Sequence, residues 1–465
     1  MDLSSGWDLV VVGSGPAGEA AALRAAKGGM RVAVVDDKPQ IGGNCTHNAT
    51  IPSKALRHQV RQVVRQRRNP FLHSVSEMPD VDWPQLVSRI QDVITSQVTV
   101  RSGFYLRNRV RVFHGRAVLR SPEEVEIHGT EGRDWTLETK RVVLACGARP
   151  YHPPDVDFTH PRIYDSDTLL SMEHTPQNLM IYGAGVVGCE YASILTSLGI
   201  RVDLVNSREH LLDFLDTEIS DALSYHLREE GATIRHGEEY LAVEPDDDGV
   251  TLALRSGKRL RADALLWSNG RAGNVEGLGL EKLGLEPDSR GRLEVDEHYE
   301  TAVPGIFAVG DLVGWPSLAS ASYDQGRFCT GMMCGDPLRQ VTRVPTGIYT
   351  IPGISSVGPT EKELTEARIP YEVGQAFFRN LARAQITGEN AGMLKLLFHR
   401  DTRELLGLHC FGYQAMEIIH VGQAIMRQPA PNNTIDYFVE TTFNYPTMAE
   451  AYRVAALNGI NRLRR

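Results

Sequence analysis

Two stretches of this chain, 170 residues apart, follow the same order of apolar run, glycine turn, helix and apolar run. In the first, Leu9 to Val12 leads into Gly13-Ser14-Gly15-Pro16-Ala17-Gly18, a helix of small residues, and the run Val32 to Val35 closing on Asp36. In the second, Leu179 to Tyr182 leads into Gly183-Ala184-Gly185-Val186-Val187-Gly188, a helix ending at Gly199, and Val202 to Val205 closing on Asn206. Asp36 and Asn206 each lie 23 positions after the first glycine of their copy. Two short apolar strands joined by a helix must lie parallel, so an α/β fold with two such units follows.

The glycines carry a chemical expectation. The first makes the tight turn, the second admits a pyrophosphate to the backbone, and the third lets helix and strand pack closely, with phosphates on the helix N-terminus. Asp36 supplies the acidic residue that bonds a ribose hydroxyl. The second copy ends instead in Asn206, with Arg208 two residues on. An uncharged amide does not repel a 2′-phosphate, and an arginine can pair with one, so this copy is expected to accept both NAD and NADP. Arg208 as an ordinary surface arginine is the competing reading.

A chain of 465 residues needs more than one core. Its net charge of −9 argues against a polyanion-binding surface, and the basic stretch Arg61 to Arg68 reads as the solvated face of a helix rather than a nucleic-acid patch. No apolar run approaches the ~20 residues needed to span a bilayer. The opening lacks a charged n-region and cleavage site, and six scattered cysteines make no disulfide framework; a cytoplasmic protein is expected. No His/Cys cluster has metal-ligand spacing, and no metal is expected.

Pro150 to Pro161 reads as a linker. From near Thr342 the pattern changes to strand-like GIYTI, MLKLLFH and LGLHCF, followed by helical AMEIIHVGQAIM and MAEAYRVAALNGINRL. The expected division is residues 1–153 and 273–342 as the first nucleotide-binding domain, 154–272 as the second, and 343–465 as an α+β domain.

At this point the residues resemble the flavoprotein disulfide reductases almost end to end. The likeness is carried by GSGPAG, the segment Gly42 to Leu56 (GGNCTHNATIPSKAL), LACGARP, GAGVVGCE, IFAVGDL and the tail Tyr445-Pro446-Thr447-x-x-Glu450. The resemblance implies FAD at the first glycine unit and a nicotinamide nucleotide at the second. It assigns Asp37, Gly42, Gly43, Asn44, Cys45, Thr46, Arg116, Ala117, Gly147, Gly310 and Asp311 to the flavin nucleotide, with Asp311 on the ribityl chain. Gly270 joins the nicotinamide site. Leu318, Ala319 and Ser320 open a helix whose N-terminus faces the flavin pyrimidine edge, where its positive end would stabilise the anionic reduced ring. Lys54 and Glu190 match the family's ion pair beside flavin N5. The last domain implies a homodimer or larger assembly in which the partner completes the site.

Two departures redirect the chemistry. The family's CxxxxC is present only as Cys45, since Thr50 stands at the second position, and a hydroxyl cannot form a disulfide. The tail acid–base pair keeps Glu450 but has Tyr445 in place of histidine, and a phenol is a poor base for thiol exchange. Hydride transfer through FAD needs orientation rather than a sulfur nucleophile. The combination resembles the soluble, Si-specific pyridine nucleotide transhydrogenases, implying reversible ping-pong exchange between NADPH and NAD⁺. A single-cysteine NAD(P)H oxidase or peroxidase, and a non-catalytic nucleotide-binding flavoprotein, are the alternatives.

Cys45 can be read as a thiolate against the flavin or as a packing residue. Cys329 and Cys334 share a helix at a spacing that does not pair them, Cys146 and Cys189 read as small packing residues, and His420 as a helix histidine.

Overall fold

The computed structural model describes residues 6–67, 69, 81–130 and 132–464. The apolar runs of the first glycine unit form the strands Leu9–Val12 and Val32–Asp36, paired in parallel and buried on both faces, on one by helices carrying Ala21 and Cys329 and on the other by strand residues such as Val125 and Leu137, which is why they lack polar alternation. Val142–Leu144 pairs in parallel on the other side of Leu9–Val12, and Ile306–Ala308 beyond it, so a strand from far along the chain completes this sheet. Arg111–Ser121 extends the opposite edge in parallel, then outruns the sheet into an antiparallel meander with Glu124–Gly129 and Trp135–Glu138.

The second unit builds its own sheet in the order Thr233–Arg235, Arg201–Val205, Asn178–Tyr182, Ala264–Trp267 and Ile163–Asp165, all parallel. A three-stranded antiparallel excursion, Tyr240–Ala262, rises from it. The expected linker begins in a strand: Ala148–Pro150 pairs antiparallel with Arg271–Gly273, forming the two-strand passage between the units.

The last third is an antiparallel sheet in the order Thr346–Ile348, Gly353–Val357, Leu405–Gly412, Gly392–His399 and Tyr371–Phe377. Helices Ala415–Met426 and Glu450–Leu463 bury Ile418, Ile419, Tyr452 and Ala455 against it. The α/β class with an α+β tail is the observed architecture. Among the described residues no helix is long and apolar enough to cross a membrane.

The basic stretch departs from the simple solvated face. It lies on the helix Thr50–Arg67, but Arg61 reaches Glu389 at 3.0 Å and Arg67 donates to the Leu198 carbonyl at 3.2 Å. Arg68 lies outside the described residues. All six cysteines are free thiols; Cys329 is buried in the helix Ala319–Met333 and Cys334 follows its last residue.

Candidate active site

The first glycine turn meets the helix Pro16–Lys27 at Gly15, whose backbone is extended and which has no side-chain cap. The first-turn amides are thereby left for an anion. A Cβ on Gly18 would strike the Gly13 carbonyl oxygen, and one on Gly188 would strike Gly183 in the same way. The two units thus share the close helix–strand approach that the spacing requires. Gly43, at φ +59°, packs its backbone on Gly15, where a Cβ would come within 2.7 Å of the Gly15 Cα.

Asp36 ends its strand with its carboxylate held by the Ser14 amide at 2.8 Å, the Ser14 hydroxyl and the Lys38 amide at 3.0 Å. Ser14 Oγ in turn accepts from the Gly42 amide at 2.9 Å. Asp37 is exposed beside it. Asn44 Nδ2 donates to Asp167 at 2.8 Å, and the Gly147 carbonyl accepts from the Asn274 amide at 3.0 Å. Arg116 is exposed and donates to the Glu276 carbonyl at 2.8 Å, while Ala117 is buried. Deeper in the same cleft, burial pushes the Asp311 carboxyl up, with Arg271 pulling against it. The Gly310 amide is fixed by Gln325 at 2.7 Å. The helix Ala319–Met333 begins at Leu318 with no side-chain cap, leaving the Ala319 and Ser320 amides unbonded by a side chain.

These residues suit a flavin dinucleotide. At Gly13, Gly18 and Gly43 the cradle has no room for a Cβ, and Thr46 Oγ1, fully buried, has no hydrogen-bond partner among the described residues. A buried hydroxyl left unmatched costs on the order of 1–3 kcal/mol, which a phosphate or ribityl oxygen would relieve.

Three elements converge at Glu190. It sits on the helix Val186–Ser197, accepts from Lys54 Nζ at 2.6 Å through Oε2, and from the Tyr349 amide at 2.8 Å through Oε1. Lys54 lies 4.9 Å above the Tyr349 ring. One turn along the same helix face, Ser193 Oγ accepts from the Ile351 amide at 3.0 Å. Arg57 Nε donates to the Thr350 carbonyl at 2.8 Å. The structure therefore unites Lys54 with Glu190 across 136 positions and adds Tyr349–Ile351, which sequence patterning missed. Only the polar break after GIY in an otherwise apolar strand marked that segment.

Cys45 lies on the short helix Gly43–His47, and Thr50 opens the following helix, Thr50–Arg67. Burial pushes the Cys45 thiol above the usual range, and the Thr50 hydroxyl and Arg101 charge offset this only in part. Nearby, buried Arg101 joins Glu19 at 2.5 Å and the Tyr323 hydroxyl at 2.6 Å. Cys146 is pushed up by burial to about 12, and Cys189 is raised further by the same cause. Tyr445, in the third unit, is 68% exposed, and Glu450 begins the final helix.

At the second turn, the helix Val186–Ser197 starts from exposed Gly185 with no side-chain cap, again freeing Val186 and Val187. Gly270 has φ +96°. Asn206 is buried, and its amide is more committed than its position alone suggests. Nδ2 donates to the Arg208 and His210 carbonyls at 3.0 and 2.9 Å and meets His236 Nδ1 at 3.2 Å, while Oδ1 accepts from the Arg208 amide at 3.2 Å. A ribose hydroxyl would find only the second lone pair of Oδ1. Arg208 forms an ion pair with Asp213.

A second polar junction, unseen in the sequence, joins this unit to the third. Lys395, 1% exposed, reaches Asp216 at 2.7 Å, Glu218 at 3.0 Å and Glu361. These three carboxylates lie close enough to hold a metal, and the ammonium stands among them. The available signal was a lone lysine inside MLKLLFH.

The chain belongs to the pyridine nucleotide-disulphide oxidoreductase family, whose model matches residues 7–326, with that family's dimerisation domain matching 344–456. It is 60% identical over 458 residues to a soluble pyridine nucleotide transhydrogenase of Hahella chejuensis, covering 98% of this chain and 99% of that one. A protein of the same name from Azotobacter vinelandii is 59% identical over the same shares. Among solved structures, LpdA of Mycobacterium tuberculosis superposes with a TM-score of 0.88 at 25% identity, over 97% of this chain and 99% of that one. The HOCl-induced flavoprotein disulfide reductase RclA of Escherichia coli shares the fold, with a TM-score of 0.87 at 24% identity over the same shares.

Proposed function

We propose that this chain is a soluble, Si-specific NAD(P)⁺ transhydrogenase that binds FAD at the first glycine unit and NAD(H) or NADP(H) in turn at the second. The observation that carries the reading is near-full-length identity to proteins of that name, at 60%, in a chain whose Cys45 faces a threonine hydroxyl where a second sulfur would be needed. Bound FAD would supply a two-electron hydride acceptor and donor.

The residues of the chain do the rest by binding and orientation. Asp36, Thr46 and the amides of the first glycine turn would hold the flavin nucleotide, and Asp311 its ribityl chain. The uncapped start of Ala319–Met333 would favour negative charge at the flavin pyrimidine edge. Lys54, fixed by Glu190, would present a positive charge beside flavin N5, and the Val186 and Val187 amides would receive the nicotinamide pyrophosphate. Neither Cys45 nor any other thiol is assigned a chemical role. The dimerisation-domain match supports a homodimer or larger assembly, with Tyr445 and Glu450 facing the partner's site, in a cytoplasmic protein.

The test is anaerobic mixing of the flavin-loaded protein with NADPH and thio-NAD⁺. Rapid thio-NADH formation is expected. Flavin bleaching with thio-NAD⁺ left oxidised would overturn the reading and assign the electrons to another acceptor.

A further inference from the structure

We propose that Asp213 occupies, in the nucleotide-free protein, the place of a 2′-phosphate on Arg208, and so sets the preference between NADPH and NADH. This rests on the nicotinamide reading of the second glycine unit.

The backbone of Arg208 is fixed. Its amide donates to Asn206 Oδ1, and its carbonyl accepts from Asn206 Nδ2 at 3.0 Å and from the Gly237 amide at 3.2 Å. The guanidinium is thus presented from a rigid point just past the strand Arg201–Val205, which is where the adenosine ribose of a bound dinucleotide lies in this class of fold. There it pairs with Asp213, with both side chains about half or more exposed, at 66% and 47%. Exposed pairs of this kind are worth roughly 0–1 kcal/mol, so the carboxylate is readily exchanged for a phosphate, which can accept two parallel bonds from the guanidinium.

Asp213 does not leave when it is displaced. The preceding Leu211 and Leu212 are buried in the core, and the Leu212 amide donates to the carbonyl of Ala184 within the glycine turn at 3.4 Å. The carboxylate therefore stays near an incoming phosphate and opposes its charge. NADH, with a neutral 2′-hydroxyl, meets neither the competition nor the repulsion. Asp213 thus handicaps NADP(H) selectively and brings two nucleotides of different charge toward equal use of one site.

The test is Asp213→Asn, which keeps the shape and removes the charge. Initial rates of thio-NAD⁺ reduction are measured with NADPH and with NADH as donors at low ionic strength, alongside calorimetric binding of 2′,5′-ADP and 5′-AMP. The ratio of kcat/KM for NADPH to that for NADH is expected to rise about twofold to fivefold, the range of one exposed charge contact, and the gain to shrink in high salt. The affinity for 2′,5′-ADP should rise relative to 5′-AMP. An unchanged donor ratio in a protein whose parent reduces thio-NAD⁺ overturns the role of Asp213 and leaves the transhydrogenase reading standing. If the parent does not reduce thio-NAD⁺, that reading fails, and the 2′,5′-ADP titration alone decides whether Asp213 guards a phosphate site.

Discussion

Glu190 divides its two carboxylate oxygens between two other parts of the molecule: Oε2 receives Lys54 at 2.6 Å, and Oε1 receives the Tyr349 amide at 2.8 Å. Glu190→Gln keeps an acceptor for Tyr349 while neutralising the partner of Lys54. It is expected to lower transhydrogenation roughly tenfold to a hundredfold, the scale on which a misplaced group slows an oriented reaction, with flavin content unchanged. Lys54→Met should fall equally far, and the double variant no further, because the pair acts as one unit. Additive losses would mean that the two residues act independently.

Cys45→Ala should stay within about threefold of the parent rate, since orientation rather than a nucleophile is required. Because burial raises the Cys45 thiol, the reactive thiolate is scarcer at neutral pH than in free cysteine. Iodoacetamide should label it slowly at pH 7 and faster only as pH passes above the ordinary thiol range. A flavin-loaded but inactive Cys45→Ala protein would assign sulfur a step in turnover.

Gly188→Ala puts a methyl group against the Gly183 carbonyl, an overpacking that costs roughly 1–3 kcal/mol and must open the second turn. The protein should retain flavin and lose nicotinamide nucleotide affinity, read by equilibrium dialysis. Gly18→Ala should do the reverse and emerge without flavin. Matching phenotypes from the two would contradict separate binding roles for the two units.

His409 is buried, donates Nε2–H to the Pro359 carbonyl at 3.1 Å, and leaves Nδ1 without a partner among the described residues. Burial pushes its pKa down, with Asp216 pulling back, whereas in the unfolded chain it titrates near 6.5. As pH falls through about 6.5 the unfolded chain takes up a proton that the native state refuses, so stability declines from pH 7 toward 5. Thermal melts should show this slope, and His409→Gln should flatten it. An equal slope in both proteins would locate the linkage elsewhere.

Lys395→Met should lower stability by about 3–5 kcal/mol, because it strands Asp216 in the core beside Glu218 and Glu361. Denaturant melts measure this directly. A loss below about 1 kcal/mol would show that the carboxylates find other partners.

Both glycine units and their strands were legible because their constraints are local: turn geometry, a pyrophosphate-sized gap, and strands buried on two faces. Resemblance named Lys54 and Glu190 as partners, which no pattern in the residues themselves could do across 136 positions. The antiparallel excursions Glu124–Glu138 and Tyr240–Ala262 were not read: Glu124–Gly129 and Val250–Leu254 do alternate as strands, but these runs are only six and five residues long and carry no motif to say which sheet they join. Asn206 was singled out by its place at the end of the second strand, but its four internal hydrogen bonds, two with Arg208 and one each with His210 and His236, could not be read from that place. Tyr349 contributes through its backbone amide, to which sequence is blind.

The Lys395 junction also bears on how such a chain can be recombined. Its ammonium belongs to the last third, whereas Asp216 and Glu218 belong to the second unit, and Gln375 adds another bond to Glu218 across the same seam at 2.6 Å. A cassette cut at the ends of the second unit would carry two carboxylates away from their counter-charge. Transplanting nucleotide preference between relatives therefore means moving this seam with the domain, or confining the graft to the loop from Asn206 to Asp213.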